Sequence, residues 1–185
     1  MNNEFNATRS DFPQSDEWFT PGYILDKIED IVPIGLDPFG SPDSFVGALK
    51  TNVYDGTPAT DGFLLDWWNG RDDCTFLNPP FSQKRKFAEV WIQQCSQLKE
   101  NDSTRTLFSI LPSKTESKFF HNMMSVRGSY LILYKGRVSY WKKTEEGLLV
   151  EGTSPSFGSA SFVYGPAAEQ IASNFTDIAT VISLG

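Results

Sequence analysis

Cys74-Thr75-Phe76-Leu77-Asn78-Pro79-Pro80-Phe81 sets four residues of strand character directly before an Asn-Pro-Pro-Phe loop. After the loop the apolar period changes. Phe87, Val90, Trp91, Cys95 and Leu98 recur at helical spacing as far as the polar break at Asn101-Asp102, with Ser82 as the expected cap. A strand running through a rigid polar loop into an amphipathic helix is the repeating unit of an α/β sheet.

Outward from this stretch the same alternation recurs. Toward the N-terminus, Thr20-Pro21 reads as a helix start, and Ile24, Leu25, Ile28 and Ile31 share one face until Pro33 ends the run. Residues 32–36 then read as a strand opening into the loop Asp37-Pro38-Phe39-Gly40. Residues 41–62 are rich in Gly, Pro, Asp and Ser and carry little regular signal beyond a short helix at 45–49. Downstream, 106–111 reads as a strand, and Ser113 with Glu116 has the spacing of a capping box for a helix reaching Met124. Residues 130–134 form another strand, 138–141 and 148–150 a hairpin, 161–164 a last strand, and Pro166 opens a C-terminal helix. The expected fold is α/β, a mostly parallel sheet with an antiparallel hairpin near the C-terminus. Residues 1–15 read as a flexible leader and 16–185 as one domain.

Composition narrows the function. The chain has 185 residues, 39% hydrophobic and 14% aromatic, with no apolar run near the roughly 20 residues that span a bilayer. No membrane role and no secretory signal are expected, which points to the cytoplasm. Cys74 and Cys95 lack metal-ligand spacing and the single His121 cannot complete a zinc site with them, so neither a metal nor a disulfide is implied. The net charge of −7 speaks against nucleic acid at first sight. Its distribution speaks for it. Residues 1–77 hold 4 basic and 14 acidic residues, whereas residues 78–143 hold 12 basic and 4 acidic. That asymmetry is the footprint of one basic face.

Asn78-Pro79-Pro80-Phe81 is the most specific chemical feature. The carboxyl end of a strand is where α/β sheets bind ligands. An exocyclic amine on a nucleobase is a weak nucleophile because its lone pair is shared with the ring. Two acceptors, the Asn78 side-chain oxygen and the Pro79 carbonyl, can each take one N–H and turn the lone pair outward. Pro79 and Pro80 fix the backbone that presents them, and Phe81 offers a ring on which a flipped base stacks. Lys84, Arg85 and Lys86 follow at the start of the helix, where cations oppose the helix dipole, so a phosphate partner accounts for them better than the fold does.

In this order the motifs resemble the phage-type DNA adenine methyltransferase (Dam) family. The resemblance runs from Asp16 to about Pro166: Asp16-Glu17-Trp18-Phe19-Thr20-Pro21, Leu36-Asp37-Pro38, Asp61-Gly62 with Trp67 beyond it, Asn78 to Phe81, Leu111-Pro112-Ser113, and Gly136-Arg137-Val138-Ser139-Tyr140. It implies a Rossmann-like fold binding S-adenosylmethionine, in a cell hosting a phage or prophage, and site-specific methylation of adenine in double-stranded DNA. Trp18, Thr20, Pro21, Asp37, Pro38, Asp61 and Asn78 are then the cofactor residues, Asn78 to Phe81 the catalytic ones, and Lys84, Arg85, Lys86, Lys114 and Arg137 the DNA contacts. Two features depart from the pattern: the glycine-rich G-x-G loop is missing, and Phe81 stands where tyrosine is commoner. The same tetrapeptide also serves methylation of cytosine amines and of protein glutamine. An accessory protein that binds or mimics DNA without catalysis is the reading from another class.

Overall fold

A computed structural model describes residues 18–55, 57–70, 72–152 and 155–185; the proposed leader lies outside them. The strands are β1 Ile34–Gly40, β2 Lys50–Val53, β3 Cys74–Leu77, β4 Thr106–Pro112, β5 Ser129–Tyr134, β6 Trp141–Lys143, β7 Leu149–Glu151, β8 Ser159–Tyr164 and β9 Ala179–Leu184. Seven of them form one sheet in the order β2-β1-β3-β4-β8-β5-β9, and β6 pairs with β7 as a separate antiparallel hairpin. β1 to β4 run parallel, β5 runs with them, and β8 and β9 run against them. The α/β class, the mostly parallel sheet and the hairpin are as expected.

Register decides which helices cover which face. Phe108 pairs across the ladder with Val163, so Phe162 points to the opposite side. Phe162 meets Trp91 of α2 (Lys84–Glu100) and Phe120 of α3 (Lys118–Met124), which therefore share one face. Phe108 meets Phe175, just after α4 (Ala168–Ser173), on the other face. There α1 (Gly22–Glu29) lies beside α4, joined by Lys27 Nζ to the Asn174 carbonyl and Asn174 Nδ2 to the Lys27 carbonyl, both 2.9 Å. Between these layers β3 and β4 are buried along their whole length, which is why both read as unbroken apolar runs. Among the described residues no helix is long and apolar enough to cross a membrane.

Several local expectations need correction. Residues 45–49 form no helix, and the strand that follows them, β2, is mostly exposed and carries no apolar alternation. Asp37 to Gly40 belongs to β1. Ser82 sits in a 3-10 turn, Phe81–Gln83, and not at the cap position of α2, which is Gln83; α2 starts at Lys84. The Ser113–Glu116 box is replaced by a turn in which Ser117 Oγ donates to the Lys114 carbonyl, and α3 starts only at Lys118. After the C-terminal helix the chain returns as β9 along β5, a strand that no local pattern in the sequence marks.

Candidate functional site

β1 pairs with β2 on one side and β3 on the other, so the chain order reverses between β1 and β3. Such a switch point opens a crevice at the carboxyl ends of the strands. Here the β1–β3 ladder stops at Leu36 and Thr75, while both strands run on. A bulge against β2 between Asp37 and Gly40, where Pro38 cannot donate to a ladder, turns the end of β1 aside. The crevice is thus flanked by Asp37-Pro38-Phe39-Gly40 and Asn78-Pro79-Pro80-Phe81.

Asn78 is half-buried, and its Nδ2 donates a 2.5 Å hydrogen bond to the backbone carbonyl of Trp18. A carbonyl facing the amide settles which way the amide points. Nitrogen is spent on the fold, and among the described residues Oδ1 is the atom left to accept from another group. Pro79 is buried, and Pro80 leads at φ −54° into the 3-10 turn. Phe81 is 7% exposed, more enclosed than a freely offered stacking face. Its ring is surrounded by Trp18, Tyr140 and Phe157.

Across the crevice Asp37 is 3% exposed. Burial pushes its carboxyl up to about 7, only partly offset by the Phe39 N–H that Oδ1 accepts at 3.2 Å. A buried carboxyl with no cationic partner among the described residues is costly to ionise. Thr20, at the start of α1, is equally buried, and its Oγ1 has no hydrogen-bond partner among the described residues. Pro21 beside it and Pro38 are buried. Asp61 lies nearer the surface, where its Oδ1 takes the Phe63 N–H at 2.9 Å and Lys86 Nζ stands 3.7 Å from Oδ2.

The two aspartate loops are joined. A side chain at Gly62 would start 2.5 Å from the Pro38 carbonyl and 2.7 Å from the Phe39 ring, so only glycine allows that approach. Asn52 of β2 ties them again, its Nδ2 donating to the carbonyls of Pro38 and Thr60 at 2.8 and 2.9 Å. Trp67 is fully buried, donates from Nε1 to the Gly62 carbonyl at 2.7 Å and stacks on Phe87 of α2. Its role is to hold the loop. Asn52, Gly62, Tyr140 and Phe157 are the site residues whose roles the sequence does not announce. No local signal marks the first, since the sequence shows no strand around it, and nothing local marks the ring contacts of the last two.

The basic residues divide. Lys84 Nζ donates to the Phe81 carbonyl at 3.2 Å, and Lys86 lies 4.2 Å over the Phe63 ring while facing Asp61. Both are thereby accounted for by the fold. Arg85, Lys114 and Arg137 are exposed, with no partner among the described residues, just beyond the carboxyl ends of β3, β4 and β5. Arg105 is withdrawn from that edge altogether. It is buried in an ion pair with Asp73 at the amino ends of β3 and β4. His121 is exposed on α3. Cys74 and Cys95 are buried free thiols.

No family model matches this chain, and a search of the curated proteins finds no match either.

Proposed function

We propose that the chain methylates the exocyclic amino group of adenine in DNA, with S-adenosylmethionine as methyl donor on a Rossmann-like methyltransferase fold. One observation carries this reading. At the switch point the Asn78 amide is anchored through its nitrogen, which leaves Oδ1 and the Pro79 carbonyl as adjacent acceptors for an amine. Both acceptors are preset, so little reorganisation is needed when the amine arrives. They draw its two N–H groups and raise the lone pair out of the ring plane. As the N–C bond formed, the donor's S–C bond would break and its sulfur would leave as a neutral thioether; the methylated amine, now cationic and strongly acidic, would give its surplus proton to water. Acceptors suffice, and no general base is required.

The opposite wall fits the cofactor. Asp37 is a buried carboxyl in need of a cation or donor, and Thr20 Oγ1 is a buried hydroxyl in need of a partner. An amino acid ammonium and a ribose hydroxyl are groups that meet such needs. Thr20, Pro21, Asp37, Pro38 and Asp61 would hold the cofactor, which supplies an electrophilic methyl group when bound. The direct test is incubation of the protein with labelled S-adenosylmethionine and mixed-sequence DNA, followed by nucleoside analysis. Label in N6-methyl-2′-deoxyadenosine is the expected result. Label in N4-methylcytosine, in protein, or nowhere would refute the assignment.

DNA would lie across the half of the edge formed by β3, β4 and β5. Arg85, Lys114 and Arg137 follow β3, β4 and β5 and are exposed there, and these are the phosphate contacts this placement uses. Replacing these three by Gln is expected to weaken DNA binding on every sequence. It should also flatten the slope of log affinity against log salt by about 0.9 for each phosphate no longer neutralised. Calorimetry should find cofactor affinity unchanged. Lys84→Gln should alter the slope far less, because that ammonium is engaged with the Phe81 carbonyl.

A further inference from the structure

We propose that Lys142 of the β6–β7 hairpin is a positioning residue: by its contact with the Trp18 indole it fixes the Trp18 carbonyl that orients the Asn78 amide. The inference rests on the methyl-transfer reading and deepens it, by naming what keeps that amide in its working orientation.

An asparagine amide has two settings that differ by a half-turn and hardly at all in shape. Only one of them serves an incoming amine. With Oδ1 toward the substrate an N–H is accepted, whereas with Nδ2 there two donors face each other. The Trp18 carbonyl makes the choice, because Nδ2 donates to it. Whatever holds that carbonyl in place therefore holds the acceptor as well.

Trp18 lies outside the helices and outside the seven-stranded sheet, and the hairpin grips it twice. Phe19, the next residue, exchanges both backbone hydrogen bonds with Trp141 at 3.0 and 2.9 Å. Lys142 Nζ stands 3.7 Å from the centre of the Trp18 indole, well inside the reach of about 6 Å over which a cation is drawn to a ring face. A two-stranded hairpin is marginal by itself, so it can position other residues only if its own base is fixed. Here it is. Tyr140, immediately before β6, shares a 2.9 Å hydrogen bond with the Ser159 hydroxyl of β8, and its carbonyl accepts the Gly152 N–H at 2.7 Å. Lys143 Nζ donates to Asp43 at 2.7 Å, and the Trp141 ring meets Phe45 edge-on. Successive side chains of a strand point to opposite faces, and the two lysines divide accordingly: Lys143 ties the hairpin to the loop before β2, and Lys142 carries that fixed point to Trp18.

A double-mutant cycle on the full-length protein tests the assignment. Lys142→Met keeps most of the length of the side chain and removes its charge. With mixed-sequence DNA and labelled S-adenosylmethionine both saturating, its transfer rate should fall roughly three- to tenfold, the worth of one partly exposed cation–π contact. Lys142→Arg should restore the rate, and the KM for S-adenosylmethionine should stay unchanged throughout. In an Asn78→Ala background Lys142→Met should cost nothing further, since no amide remains to be oriented. A second readout needs no activity. The side-chain amide protons of Asn78, assigned in the NMR spectrum by their loss in Asn78→Ala, should exchange with water faster in Lys142→Met by a similar factor. Equal losses in the two backgrounds, a loss confined to DNA affinity, or Asn78 protons that exchange as before would each overturn the assignment and leave the methyl-transfer reading standing. An unmodified protein that transfers no methyl group overturns both.

Discussion

Asn78→Ala is expected to reduce methyl transfer on the order of 100-fold or more while DNA and cofactor affinities stay near those of the unmodified protein, because one preset acceptor is removed. Asn78→Asp is the sharper variant. It preserves shape and adds an acceptor, so a role limited to accepting from the amine would tolerate it. The structure gives the amide a second duty, donation from Nδ2 to the Trp18 carbonyl at 2.5 Å. An aspartate there sets a carboxylate oxygen against a carbonyl oxygen, and neither can donate. The segment carrying Trp18 and Phe19 should be pushed away from the loop, so Asn78→Asp should be as inactive as Asn78→Ala. It should also be less stable toward denaturant than that variant, since alanine removes the donor without adding repulsion. Single-turnover rates and denaturation midpoints measure both effects. An active Asn78→Asp protein would show that the anchored orientation of the amide does not matter.

What could be read from the sequence follows from how local each feature is. β3, its loop and α2 were legible because an apolar run, two prolines and a helical period change within a few residues of one another. β9 was not, because its partner β5 lies some fifty positions earlier and its half-exposed edge buries only Ala179 fully. The capping sites failed for a related reason. Ser82 and Ser113 have suitable side chains, but each follows a strand end that the sheet has already fixed, and the chain turns before any helix starts. The Asn-Pro-Pro-Phe tetrapeptide stood out as the candidate centre from its sequence alone. The anchoring of its amide by Trp18, sixty residues away, could not be deduced from spacing. Charge lay between these cases. The fold mixes part of the sorting along the chain, since Lys86, Arg105 and Lys143 pair with Asp61, Asp73 and Asp43 and Lys84 is engaged with the Phe81 carbonyl, which leaves Arg85, Lys114 and Arg137 exposed.

Asp37→Asn is expected to make the protein more stable at alkaline pH and unable to bind its cofactor. In the folded chain burial raises the Asp37 carboxyl to about 7, against an ordinary value of 3.8. A carboxyl whose folded value exceeds its unfolded value favours folding while protonated. That contribution is fully present below about pH 4 and is lost as pH rises through 7. A rise of that size corresponds to roughly 4 kcal/mol by pH 8, an order of magnitude for the cost of an ionised Asp37 in the absence of a ligand. Asparagine avoids the charge and keeps the local turn, since its oxygen can still accept the Phe39 N–H as Oδ1 does. Denaturation should therefore find the variant and the parent similar at about pH 4 and below, and the variant ahead by a few kcal/mol at about pH 8. Cofactor binding should run the other way. If the ionised carboxylate receives a cationic group, affinity in the parent should climb by up to about tenfold per pH unit below 7 and level off above it, and Asp37→Asn should lose both the affinity and the slope. A residue that destabilises the fold where it is ionised is kept for what it binds. If Asp37→Asn instead bound S-adenosylmethionine normally at every pH, Asp37 would be a turn former only, and the cofactor would have to be held by Thr20 and Asp61 without it.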